Sequence, residues 1–150
     1  REHNGLHTYP MGKTDTVYTV PDGIESFQNG AFYGCSSLTE ITLPDSINSI
    51  AEATFSDCTG LVKINIPEGV GRIKQNTFYN CSSLTSIDLP GVYSIEYMAF
   101  CECSSLVDVS LSDEIGSIDE TAFVGCENIK AVFKGVTYTY NDFNALFDAL

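Results

Sequence analysis

Residues 78–90 read Phe-Tyr-Asn-Cys-Ser-Ser-Leu-Thr-Ser-Ile-Asp-Leu-Pro, and this stretch decides the fold because its pattern recurs along the chain. Five phenylalanines are spaced 23, 23, 22 and 23 residues apart, and a cysteine follows each of them three residues later. The phenylalanines are Phe32, Phe55, Phe78, Phe100 and Phe123, and the cysteines are Cys35, Cys58, Cys81, Cys103 and Cys126. A fixed period of this length is the sequence signature of a repeat architecture.

The apolar residues within one repeat predict its local structure. Leu84, Ile87 and Leu89 end in an alternating pair, which indicates a short strand with one buried face. Pro90 then ends the strand, because proline cannot donate a hydrogen bond to a neighbouring strand. A single repeat cannot bury its own apolar side, but stacked repeats form a continuous core with parallel strands about 4.8 Å apart.

The motif Phe-x-x-Cys-Ser-Ser-Leu-Thr-x-Ile-x-Leu-Pro resembles the BspA-like class of leucine-rich repeats, from about Tyr9 to Phe133. The resemblance implies a β-rich α/β solenoid, a right-handed coil of short parallel strands with about 23 residues per repeat. Proteins of this class are largely exported or surface-attached in bacteria and are associated with adhesion. The resemblance therefore implies an extracellular or cell-surface location and a protein partner, on a host or neighbouring cell.

The chain is expected to form one domain, residues 1–150, with distinct ends. Residues 1–16 form a leading partial repeat or linker, 17–133 the repeats and 134–150 a C-terminal cap of a strand and a helix. Phe143, Leu146, Phe147 and Leu150 share one helix face, and Asn141 is the expected N-cap. The front end shows no comparable cap, and a start without an initiator Met or a signal peptide suggests a fragment of a longer protein.

The net charge excludes several partners. Seven Lys and Arg residues against 20 Asp and Glu residues leave a formal charge of −13. Such a field repels nucleic acids and anionic membrane surfaces. No apolar run approaches the roughly 18–20 residues of a membrane-spanning helix. We therefore expect no nucleic-acid partner and no membrane insertion.

The cysteines allow three interpretations. Five of them occupy one repeat column, so they stack as a ladder and do not converge on a point as tetrahedral metal ligands must. Cys101 lies outside this column. Buried free thiols that pack as small hydrophobes are the favoured interpretation. Disulfides between neighbouring coils and a metal site remain alternatives, since the strand spacing alone permits the Cα separation of a disulfide. No metal or cofactor is expected.

No set of residues indicates an enzyme. The two histidines, His3 and His7, precede the repeats, where no rigid scaffold holds them against a nucleophile. Asp108, Asp113, Glu114, Asp119 and Glu120 lack the spacing of a calcium loop and are expected to form a solvated acidic face. The glycines form no phosphate-binding motif.

The variable strand positions remain as the candidate binding surface. Residues that flank the buried strand positions should form two columns on the concave face: Val17, Thr19, Glu40, Thr42, Lys63, Asn65, Ser86, Asp88, Asp108, Ser110, Ala131 and Phe133. The leading hypothesis is a binding or adhesion module for a protein. A structural spacer without its own ligand is one alternative, and a carbohydrate-binding surface is another, although these columns have few aromatic residues. Tyr33, Tyr79 and Tyr97 leave binding on the turn and convex sides open.

Overall fold

The computed structural model describes residues 5–6, 9 and 14–150. In chain order the strands are β1 (Gly5–Leu6), β2 (Val17–Thr19), β3 (Ser26–Phe27), β4 (Glu40–Thr42), β5 (Lys63–Ile64), β6 (Arg72–Ile73), β7 (Ser86–Leu89), β8 (Ser94–Ile95), β9 (Asp108–Leu111), β10 (Ser117–Ile118), β11 (Lys130–Phe133) and β12 (Val136–Thr139). A 3-10 turn, Tyr140–Asp142, and the helix α1, Phe143–Asp148, close the chain. Within the described residues, no helix has the length and hydropathy needed to cross a membrane.

The strands form two sides of a solenoid, as the repeat pattern predicts. The strands pair into four sheets. Those of β2, β4 and β5 and of β7, β9, β11 and β12 lie on one side and are together called sheet 1, and those of β1 and β3 and of β6, β8 and β10 lie on the other side and are together called sheet 2. Strands of successive repeats pair in parallel, so that Ile41 lies opposite Ile64 and Ile87 lies opposite Val109. Each of these four side chains is at most 5% exposed. The core therefore lies between the two sheets and runs the length of the repeats.

A column of stacked phenylalanines forms the centre of this core. The ring centroids of Phe32, Phe55, Phe78, Phe100 and Phe123 lie 5.1–5.3 Å from their neighbours in the column. The angle between neighbouring rings falls from 24° at the front to 2° at the back. The fixed spacing of phenylalanines in the sequence is thus the spacing of one coil, and each coil contributes one ring.

The front of the column is covered, contrary to the expectation of an uncapped end. Tyr9 stacks on Phe32 with a centroid distance of 5.2 Å, and Tyr18 packs edge-on against Tyr9 at 4.8 Å. Tyr9 precedes Phe32 by 23 residues and its amide donates to Ala31 O at 2.6 Å. In the same way, Phe32 N donates to Thr54 O, the residue before the next phenylalanine, at 2.8 Å. Tyr9 therefore takes the phenylalanine position of a leading coil.

The other end carries the expected strand and helix, with a different capping residue. Phe143 packs edge-on against Phe123 with a centroid distance of 5.5 Å, and Leu146 is fully buried. Asn141 is not the N-cap. The Asp142 carboxylate accepts hydrogen bonds from Thr139 N and Thr139 Oγ1, at 3.0 and 2.8 Å, and these bonds lower the pKa of Asp142. Because a 3-10 turn precedes α1, the capping box begins at Thr139, two residues before the expected Asn141.

Strand β11, the strand of the last repeat, is shifted by one residue from the predicted register. In the first repeat the buried branched residue, Ile41, follows Phe32 by nine residues, whereas Ala131 follows Phe123 by eight and pairs with Val109. The predicted register would have placed Lys134 in a buried column, at a large desolvation cost. In the structure Lys134 lies in the turn between β11 and β12, with a positive φ of 49°. A shift of one residue exchanges the two faces of a strand.

Both sheets are interrupted beside the repeat that begins at Phe55. In sheet 1 the ladder stops between β5 and β7, and in sheet 2 it stops between Ser49, which forms an isolated bridge with Ser26 of β3, and β6. On the other side of β5, toward β4, the ladder is continued by the side chain of Asn65: its Oδ1 accepts from Leu43 N at 2.8 Å and its Nδ2 donates to Leu43 O at 2.9 Å. A side chain thus takes the place of the backbone that would continue the ladder.

Candidate functional site

The sheet 1 face carries most of the predicted binding columns on its surface. Ten of the twelve residues are exposed or half-exposed: Val17, Thr19, Glu40, Thr42, Lys63, Asn65, Ser86, Asp88, Asp108 and Ser110. The placement of the other two was wrong, because Ala131 is 0% and Phe133 is 4% exposed. The shifted register of β11 turns Lys130 and Val132 outward in their place. These ten residues with Lys130 and Val132 are called the sheet 1 face below.

A cleft opens in the middle of this face, where the ladder between β5 and β7 is interrupted. It has a volume of about 340 Å³. Its lining residues are Lys63, Ile64, Asn65, Ile66, Ser86, Ile87, Asp88 and Pro90. The lining is therefore mixed, with polar side chains from two neighbouring coils beside the isoleucines between them.

The cleft holds two opposite charges that do not neutralise each other. Within the described part of the chain, Lys63 and Asp88 form neither an ion pair nor a side-chain hydrogen bond with any residue. Lys63 lies opposite Glu40 in the register of β4 and β5, yet their charged groups form no ion pair. Both charges are thus free to meet complementary groups of a partner. Asn65 has a different role, because its amide is already bound to Leu43.

The cysteines are built into the core as hydrogen-bond donors. The Sγ atoms of Cys58, Cys81, Cys103 and Cys126 each donate, at 3.1 Å, to the carbonyl oxygen of the phenylalanine one coil earlier. All six cysteines are free and buried. Burial raises the pKa of Cys58 to about 12 and that of Cys103 well above its ordinary value. Because the thiolate is the nucleophile and the metal ligand, this column favours the structural interpretation over a reactive one.

The acidic residues do not converge on a cation. Among the described residues, no group of three or more His, Cys, Asp or Glu side chains is arranged to hold a metal ion. Asp119 instead accepts hydrogen bonds from Thr121 N and Thr121 Oγ1, at 2.8 and 2.5 Å. His3 and His7 lie outside the described residues.

Exposed aromatic residues lie away from the sheet 1 face. Tyr33, Tyr93 and Tyr97 are 51%, 52% and 47% exposed. Tyr93 directly precedes β8 of sheet 2, and its position was not identified as functional from the sequence. A hydrogen bond to Asp57 raises the pKa of the Tyr33 hydroxyl.

Solved structures with the same fold come from several bacteria. A leucine rich cell surface protein from Faecalibacterium prausnitzii A2-165 superposes with a TM-score of 0.82 at 28% identity, over 92% of this chain and 36% of its own. The Treponema pallidum leucine-rich repeat protein gives a TM-score of 0.77 at 31% identity, over 85% of this chain and 62% of its own. A Bacteroides ovatus leucine-rich repeat protein gives 0.76 at 28% identity, over 90% and 38%. The chain thus spans about one third to two thirds of the lengths of these relatives.

The sequence also matches one protein family along most of its length. The BspA type Leucine rich repeat region matches residues 14–135 in six copies. Among curated proteins, none matches the chain significantly. The matched range contains all five phenylalanines of the column. With this match, the parallel strands and the phenylalanine column, the chain belongs to the BspA-type leucine-rich repeat family.

Proposed function

We propose that this chain is an extracellular or cell-surface module that binds a protein partner through the sheet 1 face. The observation that carries the proposal is the cleft between β5 and β7, where Lys63 and Asp88 offer unpaired charges beside Ile64, Ile66 and Ile87. Leucine-rich repeats commonly bind proteins through surfaces built from variable repeat positions. The Faecalibacterium relative is a cell surface protein, which supports the proposed location.

The sheet 1 face suits an extended and polar partner segment. One of its two columns consists of the first residue of each strand, and opposite charges recur along it. These residues are Val17, Glu40, Lys63, Ser86, Asp108 and Lys130. Charges at the edge of an interface mainly set the association rate and select partners by complementarity. A partner with a basic group near Asp88 and an acidic group near Lys63 would satisfy both cleft residues. The face has few of the aromatic residues that dominate tight interfaces, so we expect moderate affinity.

The test is binding of the purified chain to immobilised host matrix proteins at physiological salt. The variant Lys63→Glu with Asp88→Lys exchanges both cleft charges and preserves the net charge. Its matched control is Lys134→Glu with Asp113→Lys, since both of these residues are exposed and lie outside the sheet 1 face. Saturable binding that the first variant loses and the control keeps would support the proposal.

Two other outcomes would contradict it. Binding that survives the exchange of the cleft charges would place the site elsewhere on the solenoid. Failure to bind any protein of a broad panel at micromolar concentration would favour a structural spacer within a longer surface protein. The small and polar character of the sheet 1 face is compatible with such a spacer, and the relatives are longer than this chain.

A further inference from the structure

A second opening lies on the sheet 2 face, where that sheet is interrupted. This notch has a volume of about 280 Å³, and residues 48–50 form one side of it. Two glycines of the next coil, Gly69 and Gly71, leave the floor free of side chains. A Cβ atom on Gly71 would lie 2.3 Å from Cε2 of Tyr93, so the tyrosine ring covers this glycine closely. Glycine at positions 69 and 71 thus lets Ile47 O and the Tyr93 ring pack directly on the backbone at the edge of the notch.

Two backbone donors lose their usual partners at this break. In the following coils, the residue directly before the sheet 2 strand donates its amide to the preceding coil. Tyr93 N donates to Gly71 O at 2.8 Å, and Gly116 N donates to Tyr93 O at 2.9 Å. Gly71 N makes no such bond to Asn48 in the described structure. Three residues later, Glu96 N donates to Ile73 O at 2.9 Å, whereas Lys74 N has no equivalent bond to Ile50. Two amide groups are thus left without a backbone acceptor beside the notch.

Two cations also occur here and replace neutral or acidic residues of the other repeats. Arg72 occupies a column that otherwise contains Ser26, Ser49, Ser94 and Ser117, and Lys74 occupies one that contains Gln28, Ala51, Glu96 and Asp119. Arg72 Nε donates to Glu96 Oε2 at 2.6 Å, and Lys74 Nζ donates to Ser49 Oγ at 3.3 Å across the break. Because Glu96 neutralises Arg72, Lys74 leaves a net positive charge in a chain that is otherwise strongly acidic.

Tyr93 adds an aromatic surface to this positive notch. Its side chain is 52% exposed and its ring forms one wall above the glycine floor. An aromatic ring offers an apolar face to a ligand, and a tyrosine hydroxyl can also form hydrogen bonds. Asn48 and Ser49 line the opposite side with an amide and a hydroxyl, which can both donate and accept. A cation, an aromatic wall and neutral polar groups therefore meet in one place.

We propose that this notch binds an acidic sugar residue, a pyranose that carries a carboxylate or a sulfate. The anionic group would be bound by Lys74 and the free amides, since charge-assisted bonds are the strongest available to it. The apolar face of the sugar ring would pack on Tyr93, and its hydroxyls would reach Asn48 and Ser49. The negative charge of the whole chain does not prevent this, because at physiological salt it is screened over about 8 Å. The site lies on the opposite sheet from the proposed protein-binding face and does not depend on it.

The experiment is a titration followed by NMR amide shifts of the labelled chain. The probes are sodium glucuronate and glucose 6-sulfate, with glucose, sodium acetate and sodium sulfate as controls. We expect saturable shifts at Ser49, Gly69, Gly71 and Lys74 in the millimolar range with the acidic sugars, as is reasonable for one ring on a shallow site. Equal affinity for glucose would overturn the role of the anionic group. Equal affinity for acetate or sulfate would show that the sugar ring is not recognised.

Variants of Tyr93 and Lys74 test ligand binding separately from folding. Tyr93→Ala should weaken binding at least tenfold, Tyr93→Phe should retain it, and Lys74→Gln should weaken binding of the acidic sugars. The control Tyr97→Ala removes a similarly exposed tyrosine from the same coil and should leave binding unchanged. Each variant is first compared with the parent chain by its amide spectrum to establish that it is folded. Unchanged binding in folded Tyr93→Ala and Lys74→Gln would refute the proposed site.

Discussion

The carbonyl oxygen of Phe32 accepts a hydrogen bond from the thiol of Cys58, one coil further along the chain, at 3.1 Å. The same oxygen accepts from Cys35 N in its own coil at 3.0 Å. Cysteine therefore satisfies two requirements of this position: it is small and apolar enough to be buried, and its S–H group reaches a carbonyl that has a second lone pair. The cysteine column thereby connects successive coils.

This geometry predicts different costs for two substitutions of Cys81. Cys81→Ala removes both buried volume and the donor to Phe55, and it should lower the free energy of unfolding by about 1–3 kcal/mol. Cys81→Ser should cost less, because the hydroxyl can still donate. Urea denaturation measures both effects. Cys101→Ala is the control, since Cys101 is buried but donates no bond to a phenylalanine carbonyl. An equal loss for alanine and serine at residue 81 would show that the hydrogen bond contributes nothing.

The buried thiols also predict a loss of stability in alkali. Burial raises the pKa of Cys58 from 9.0 to about 12, so between these values the unfolded chain has released this proton while the folded chain retains it. The contribution of the protonated thiol to the free energy of unfolding is therefore complete below about pH 9. It falls as the pH rises, by at most about 1.4 kcal/mol per pH unit for one thiol. Urea denaturation at about pH 7, 9 and 10.5 should show a steeper decline for the parent chain than for Cys58→Ser. Parallel declines would contradict the assignment to Cys58.

Strained backbone positions predict a stabilising substitution. Ala53 has a φ of 55°, in the left-handed region where glycine meets no steric penalty. Ala53→Gly should raise the free energy of unfolding by about 0.5 kcal/mol, after the entropy lost by glycine on folding is subtracted. Thr121 occupies the same repeat column without a positive φ, so Thr121→Gly should destabilise. Thermal denaturation of both variants makes the comparison, and destabilisation by Ala53→Gly would count against the strain.

The helical cap predicts a contrast between two leucines. Leu146 is fully buried, whereas Leu150 is 36% exposed. Leu146→Ala should lower the free energy of unfolding by about 2–4 kcal/mol, because it leaves a cavity against the last coil. Leu150→Ala should cost less than about 1 kcal/mol. If denaturation gave similar small effects for both, α1 would not be a firmly packed cap.

The sequence predicts the core better than the surface, and the reason is physical. Phe78, Cys81, Leu84 and Ile87 must meet the same neighbours in every coil, so their spacing recurs and can be recognised. The register of the last repeat is not fixed by a following repeat. From the pattern, Lys134 could lie in a buried column or in a turn, and the cost of burying its charge favours the turn. The exposure of ten of the twelve predicted surface residues followed from strand alternation alone.

The two openings could not be predicted from the repeat pattern. The interruption of sheet 1 lies between β5 and β7, and nothing in the spacing of the repeats indicates that the ladder stops there. A signal for the notch on sheet 2 was nevertheless present. Arg72 stands among four serines of one column, so this position differs from the others in the repeat.

The positions of the two interruptions have a consequence for how the array unfolds. The backbone ladder is cut on one side before the Phe55 repeat and on the other side after it, while the phenylalanine column runs through both cuts without a change in spacing. Since repeat arrays are held together by nearest-neighbour coupling, the front and back coils form two cooperative blocks, joined at this repeat by side-chain packing and by backbone bonds of the turns such as Phe55 N to Thr77 O at 2.9 Å. Hydrogen exchange should therefore divide the chain at this seam, with the amides around residues 60–75 opening before those of either block.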